Sequence, residues 1–402
     1  MSDTSAPRRL RVLHICDHLG WPGSRMHGVK RLFAWMLPRF DASRYHVSLI
    51  SLRKKDLSED TLEQLGIDVR YLSRGKFDPA TLTDLLKLID REQADVLHMH
   101  GYGATTFGRA AAAIRRLPTV LHEHANHTDT PLFQKVADTA LAPFTDIAIA
   151  VSKSTAEFTT RARLVPAERT HVVYLGAPLD EFAKPRSCEE IARARVELGV
   201  PGDAPVIGTV TRLMPSKGNQ YFVEAIGHLA ATHPTARFVI VGEGEMRAEH
   251  EAQARSLGIG DRVLFAGFQR DVAAVYSTFD VAVFPSLWEG TPLTAFEALA
   301  MGKAIVATDA DGLSDILTSG DDALIVPKRD GAALAAGIDR VLTTPTLRAH
   351  LETHARATGA RYGIDVFVRR MERLYDLLHA TSRATHRNGI LTADLRFLNE
   401  PL

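Results

Sequence analysis

From Leu10 onward, short apolar runs of strand length alternate with segments long enough to be helices, and that alternation leaves few folds open. Runs at Leu10 to Ile15, Val47 to Leu52, Val69 to Leu72, Val96 to Met99, Thr119 to His122 and Ile147 to Val151 read as strands. Helices separate them, one from about Val29 and another over Ala104 to Arg115. Near-continuous apolar character is what a strand covered on both faces requires, so the pattern predicts a parallel, doubly wound sheet. A charged stretch, Glu181 to Gly202, breaks the rhythm, and a second series then begins. Its strands are Val206 to Val210, Phe238 to Val241, Val263 to Phe265, Val281 to Phe284, Ala304 to Ala307 and Ala323 to Val326, with helices over Gln220 to Ala231 and Thr294 to Met301 among the connections.

The expected architecture is therefore α/β: two Rossmann-like domains facing across a cleft, at residues 1–183 and 184–360. A last helix, Ile364 to His379, carries Val366, Val368, Met371, Leu374, Tyr375 and Leu378 at helical spacing and is expected to pack back on the first domain, followed by a tail, 381–402. The 402 residues suffice for two cores, and 48 Lys plus Arg against 48 Asp plus Glu argue against a dedicated nucleic-acid binder. Cys16 and Cys188 form no metal or disulfide pattern, which fits a reducing compartment. Without an apolar signal segment or an apolar run of membrane-spanning length, a cytoplasmic protein is expected, any membrane contact being peripheral. Lys30, Arg31 and Arg39 beside Leu32, Phe33, Trp35, Met36 and Leu37 admit such a contact, although a helix simply packed on its sheet explains them too.

Chemistry concentrates in the stretch Trp288-Glu289-Gly290-Thr291-Pro292-Leu293-Thr294-Ala295-Phe296-Glu297. Thr291 and Pro292 read as an N-cap and first helical residue, so the amides of Leu293, Thr294 and Ala295 would favour a phosphate beyond the end of the preceding strand. Glu289 and Glu297 bracket that point and suit neutral hydroxyls better than phosphate, an arrangement matching a sugar joined through a diphosphate to a ribonucleoside. Arg212 and Lys217, either side of a proline turn after Val206 to Val210, would neutralise a leaving diphosphate. Gly242 and Gly244 in VGEGE let either a ligand or a turn come close to the backbone.

Together, TRLMPSKG, VIVGEGE, WEGTPLTAFEALAMGKAIVATD and DGLSDIL resemble the donor half of the retaining glycosyltransferases of family 4, with the GT-B fold, over nearly all of the chain. The resemblance implies a nucleotide-diphosphate sugar as donor substrate, with no other cofactor, and a carbohydrate or lipid-linked hydroxyl acceptor in bacterial polysaccharide, glycolipid or glycoconjugate synthesis. It places Arg212 and Lys217 on the diphosphate, Glu297 on the ribose, and Glu289, Gly290, Thr291, Pro292 and Leu293 around the sugar and phosphate, while the Thr294 amide and Gly242 are binding candidates from the local reading alone. Thr211, where the family often has glycine, and Asp311-Gly312-Leu313-Ser314-Asp315, in place of Gly-Gly-x-x-Glu, depart from the pattern.

In the first domain, His98 and His100 follow one strand, and His122, His124 and His127 surround Glu123 and Asn126 after the next. A metal site built on His98, His100, His122 or His124 with Glu123 competes with loops that face donor and acceptor. The resemblance favours His124 as the residue contacting the donor sugar, with His122 as fallback and His98 structural. It also puts Gly28 beside the phosphates, His27 occupying the other position of a glycine pair. Asp309-Ala310-Asp311 matches a metal-chelating pattern of a different fold, so a metal-independent reaction is expected and no metal ligand is assigned. The alternatives are a metal-dependent hydrolase on the histidine loops and a nucleotide-sugar epimerase of similar fold, for which Glu123 is the first domain's only obvious acid.

Overall fold

The computed structural model describes residues 8–20, 26, 28–55, 60–126, 131–381 and 395–398. The chain forms two compact units, one of Met1–Tyr174 with Asp365–Leu402, the other Leu175–Ile364.

The first unit is built on seven parallel strands, β1 (Leu10–Cys16), β2 (Tyr45–Ser51), β3 (Val69–Tyr71), β4 (Val96–His100), β5 (Thr119–Glu123), β6 (Ile147–Ala150) and β7 (Thr170–Val172), in the order β3-β2-β1-β4-β5-β6-β7. The central strands are buried on nearly every residue of both faces, as their mainly apolar runs lead one to expect, and the histidines within them are buried too. The short edge strand β7, Thr-His-Val and only half-buried, carries no such signal and was not anticipated. Helix Gly28–Met36 buries Lys30, Leu32, Phe33, Trp35 and Met36, so its apolar face is occupied by the unit's own core. The last helix, Ile364–Ala380, belongs to this unit from Asp365 onward. Tyr45 donates a hydrogen bond to Asp376 at 2.8 Å, Arg44 pairs with the same carboxylate, and Tyr375 stacks on Phe40.

The second unit holds six parallel strands, β8 (Val206–Val210), β9 (Arg237–Val241), β10 (Val263–Gly267), β11 (Val281–Phe284), β12 (Ala304–Thr308) and β13 (Leu324–Val326), in the order β10-β9-β8-β11-β12-β13. Helices Asn219–Leu229 and Gly331–Thr343 cover one face, packing Phe222, Ile226, Leu334 and Ile338 over Phe238, Ile240 and Val283. The segment 175–183 falls in this unit. Ala177 exchanges backbone hydrogen bonds with Tyr362 and Ile364, and a side chain at Gly176 would strike the Tyr362 carbonyl. Strand order reverses between β1 and β4 in the first sheet and between β8 and β11 in the second, and ligands of such sheets bind at these switch points.

A fully buried ion network secures the helices on one side of the first sheet. Asp138, on helix Leu132–Leu141, accepts from Arg109 and, at 3.3 Å, from Arg163, which also donates to Glu123 at the end of β5 at 2.8 Å. Removing one member strands the others without solvent. Asp138→Ala should therefore destabilise the protein by about 3–5 kcal/mol in chemical denaturation, far beyond a surface Asp→Ala control.

Candidate functional site

In the second unit, the loops following β8 and β11 flank the switch point and are tied together. The Ser216 carbonyl accepts from the amides of Leu287 and Trp288 at 2.9 and 3.3 Å. Lys217 donates to a Glu289 carboxylate oxygen at 2.5 Å, and Ser286 donates to the other at 2.7 Å. Both carboxylate oxygens of the nearly buried Glu289 are thus engaged, so the side chain is fixed in one orientation. Lys217 and Glu289, assigned separate roles from the sequence, are partners. A lysine ammonium has three donors, which leaves Lys217 two for a ligand.

Two glycines permit this join. Gly218 has φ 63°, and a Cβ there would lie 2.0 Å from the Pro285 carbonyl oxygen. Gly312, in helix Asp311–Ser314, donates its amide to the Glu289 carbonyl at 3.2 Å, and a Cβ would lie 1.8 Å from the Gly290 carbonyl oxygen. Gly242 and Gly244 answer a similar need within the fold. Cβ atoms there would meet the carbonyls of Thr211 and Leu213, whose amides bond to Val241 and Glu243. Their space is taken by the chain itself.

The helix after β11 runs Leu293–Ala300, with Pro292 as its extended N-cap and no side chain capping its start. It begins one position later than Thr291-Pro292 suggested, because Pro292 is extended rather than helical, and the Thr291 hydroxyl donates to the neighbouring Gly290 carbonyl at 2.9 Å. The amides of Leu293 and Thr294 open the helix. Glu297, one turn on, is completely buried. Arg212 is half-buried at the exit of β8, and among the described residues its guanidinium makes no ion pair. Burial lowers its pKa, and Glu245 works in the opposite sense. Asp309 accepts from the Lys328 amide and Asp311 opens a helical turn, so the Asp-x-Asp string serves the fold.

In the first unit, His98 and His100 lie within β4 and His122 and Glu123 within β5, not in the loops beyond. His124 follows β5 directly and is half-buried. The register sets His14 of β1 beside His98, and His100 beside His122, placing all these rings on one face of the sheet. The rings are joined nitrogen to nitrogen, His14 Nδ1 to His100 Nε2 at 3.0 Å, His98 Nε2 to His122 Nδ1 at 3.3 Å and His100 Nδ1 to His124 Nε2 at 2.9 Å. Tyr375, from the last helix, contacts His98 Nδ1 at 2.6 Å and His14 Nε2 at 3.3 Å. Burial pushes every one of these imidazole pKa values down, those of His14 and His124 to about 3, so the rings are neutral near pH 7. Glu123 is held by Arg163, which argues against it as a ligand of the metal hydrolase or as the acid of the epimerase considered above.

His14, Tyr375 and Ser286 were not singled out from the sequence. His14 interrupts an apolar strand, which is a local signal, but its partners depend on register and on a helix some 360 positions away. Gly28 opens helix Gly28–Met36, and a Cβ there would have nothing within 4 Å. His27, His127 and residues 382–394 lie outside the described residues.

Comparisons with known proteins bear on both units. Residues 190–358 match the model for glycosyl transferases group 1, and residues 26–181 that for glycosyltransferase family 4. A D-inositol 3-phosphate glycosyltransferase from Acidothermus cellulolyticus is 30% identical, covering 89% of this chain and 88% of its own. The UDP-Gal:alpha-D-GlcNAc-diphosphoundecaprenol alpha-1,3-galactosyltransferase of Escherichia coli is 27% identical over 63% of this chain and 67% of its own. Among solved structures, Anabaena HepE in complex with UDP and glucose has the same fold, with a TM-score of 0.79 over 92% of this chain and 100% of that one at 23% identity. The chain belongs to the group 1, family 4 glycosyltransferases, and it is an enzyme of that class with the GT-B fold.

The glycine contacts give a sharp contrast. Gly312→Ala forces Cβ against backbone and should cost about 1–3 kcal/mol in denaturant unfolding, the usual penalty of overpacking, whereas Gly28→Ala should leave stability unchanged or slightly raised.

Proposed function

We propose that this glycosyltransferase moves the sugar of a nucleoside-diphosphate sugar to a hydroxyl group of a carbohydrate or lipid-linked acceptor. Transfer proceeds with retention of configuration and without a metal ion on the diphosphate. The observation that carries this reading is the convergence, on two loops tied at the second sheet's switch point, of Arg212, Lys217 and an uncapped helix start. The UDP and glucose bound to HepE and the lipid-diphosphate acceptor named for the Escherichia coli relative support it. No described helix is long and apolar enough to cross a membrane, so a lipid-linked acceptor would be met from the membrane surface.

In this mechanism the diphosphate is held by Arg212, by the two free donors of Lys217 and by the amides of Leu293 and Thr294, with Gly290, Thr291 and Pro292 shaping the loop around it. Charge grows on the leaving oxygen as the anomeric bond breaks. Groups aimed there in advance stabilise the transition state more than the ground state. The acceptor proton passes to a phosphate oxygen, so no carboxylate nucleophile is needed. Glu289, oriented by Lys217 and Ser286, accepts from a sugar hydroxyl, and Glu297 from the ribose. His124 contributes a hydrogen bond to the sugar, a role that rests on the resemblance of its loop to those of the family.

A thermal-shift panel of nucleoside diphosphates and their sugars should show stabilisation by at least one of them, about 2.7 kcal/mol at a hundredfold excess over Kd. Glu297→Ala should abolish it, and Arg212→Ala should weaken diphosphate binding at least about tenfold in calorimetry, the worth of a charge-assisted hydrogen bond. EDTA should leave donor affinity unchanged. A wild type that no nucleotide stabilises would overturn the assignment.

A further inference from the structure

Apart from the role proposed for His124, the histidine face of the first unit is not absorbed by the donor chemistry. One ring nitrogen from each of His100, His122 and His124 lies within 4.8 Å of the others. His122 is completely buried, and among the described residues its Nε2 has no hydrogen-bond partner while its Nδ1 is held by His98. A buried, unpartnered imidazole nitrogen beside two further imidazoles is costly unless something fills the place.

We propose that His100, His122 and His124 bind a divalent transition-metal ion of borderline softness, zinc being the best match to three neutral imidazoles. The nitrogens are assigned by elimination. His100 uses Nδ1 and His124 Nε2, which now share a proton at 2.9 Å, and His122 uses its unpartnered Nε2. On metal binding the shared proton moves to the other nitrogen of its own ring, so both imidazoles stay neutral, and the two ligand nitrogens move slightly apart, which the half-buried His124, just beyond its strand, can accommodate.

The surrounding groups are those a metal site requires. Ligand imidazoles donate their second N–H outward, which fixes tautomer and ring orientation. His100 Nε2 meets His14 Nδ1, and His122 Nδ1 meets His98 Nε2. The far nitrogens of those outer histidines both reach the Tyr375 oxygen, whose lone pairs can accept from the two of them. With metal bound, N–H donors therefore run outward from both ligands without conflict, from His100 through His14 and from His122 through His98 to one phenol. Three protein ligands leave a fourth position open. The ion departs from the absence of metal expected from the sequence, but it lies on the first unit's sheet and is not a diphosphate metal. Asp321, His350 and His354 form another group within ligand distance, on an exposed surface and without a buried unpartnered nitrogen, and it serves as the control.

The test is zinc content and affinity of the untagged full-length protein. After chelator treatment and dialysis, calorimetry with Zn²⁺ should show one site per chain, and Co²⁺ should give the visible absorption of a tetrahedral imidazole site. His122→Ala should abolish the site. Tyr375→Phe, which keeps the ring, should weaken it about 10–100-fold, as loss of an outer partner does. His350→Ala should change nothing. Should His122→Ala fail to fold, His124→Ala removes a ligand from the edge of the sheet and must also abolish the site. Absence of a Zn²⁺ or Co²⁺ site in the wild type, a site that survives His122→Ala or His124→Ala, or one lost in His350→Ala would each overturn the proposal.

Discussion

The candidate site of the second unit depends on one join, the Lys217–Glu289 ion pair together with the two amides that reach the Ser216 carbonyl. These contacts connect loops that leave neighbouring strands on either side of the sheet's switch point. Without them each loop would carry its own charge at a sheet edge, and holding two flexible loops in register would cost conformational entropy on ligand binding. With them the cation, the carboxylate and the helix start are arranged before any ligand arrives. Preorganisation of this kind is what electrostatic catalysis draws on, since groups already in place need not reorganise as charge develops.

Glycine makes the join possible through the absence of a side chain. At Gly218 and Gly312 the backbone of one loop passes against the carbonyl of another, and at Gly242 and Gly244 the segment after β8 lies along the turn after β9. From sequence alone the VGEGE glycines suit a close ligand or a plain turn equally well. In the structure they let the segment after β8, which carries Arg212, pass close to the turn after β9. A site residue and a packing residue can thus show the same signature in sequence.

Much of the fold was legible because it follows from local pattern. Near-continuous apolar runs located the central strands of both sheets to within a residue or two, since a doubly covered strand has little freedom in composition. Strand β7 escaped because three half-buried residues carry no such pattern. The helix after β11 was placed, but it starts one position later than its sequence suggests, because Pro292 takes an extended conformation instead of opening the helix. What could not be read was pairing between distant residues. Nothing local says that Lys217 meets Glu289, that Glu123 belongs to Arg163, or that Tyr375 closes a ring of contacts with His14 and His98. The histidines themselves were conspicuous. Their sharing of one sheet face, with His14 among them, depends on strand register, which the sequence leaves open.

That shared face raises a question of energy that packing alone does not answer. Four imidazoles and a phenol occupy positions where leucine or valine would be buried without any polar cost. Each ring is tolerated only because a neighbour satisfies it. Substituting His14 alone would strand a nitrogen on His100 and a contact of Tyr375, and substituting His98 would strand His122. The set can therefore be exchanged for apolar residues only as a whole, and single changes are penalised in the way half-satisfied polar networks generally are. A structural cluster of this type would be expected to close on itself with every nitrogen engaged. This one leaves His122 Nε2 unpartnered beside two further rings, and it reaches the sheet's carboxyl end at His124. The open position lies where sheets of this class bind ligands. The cost of burying the other rings is thus better understood as the support of a site than as a way of filling a core.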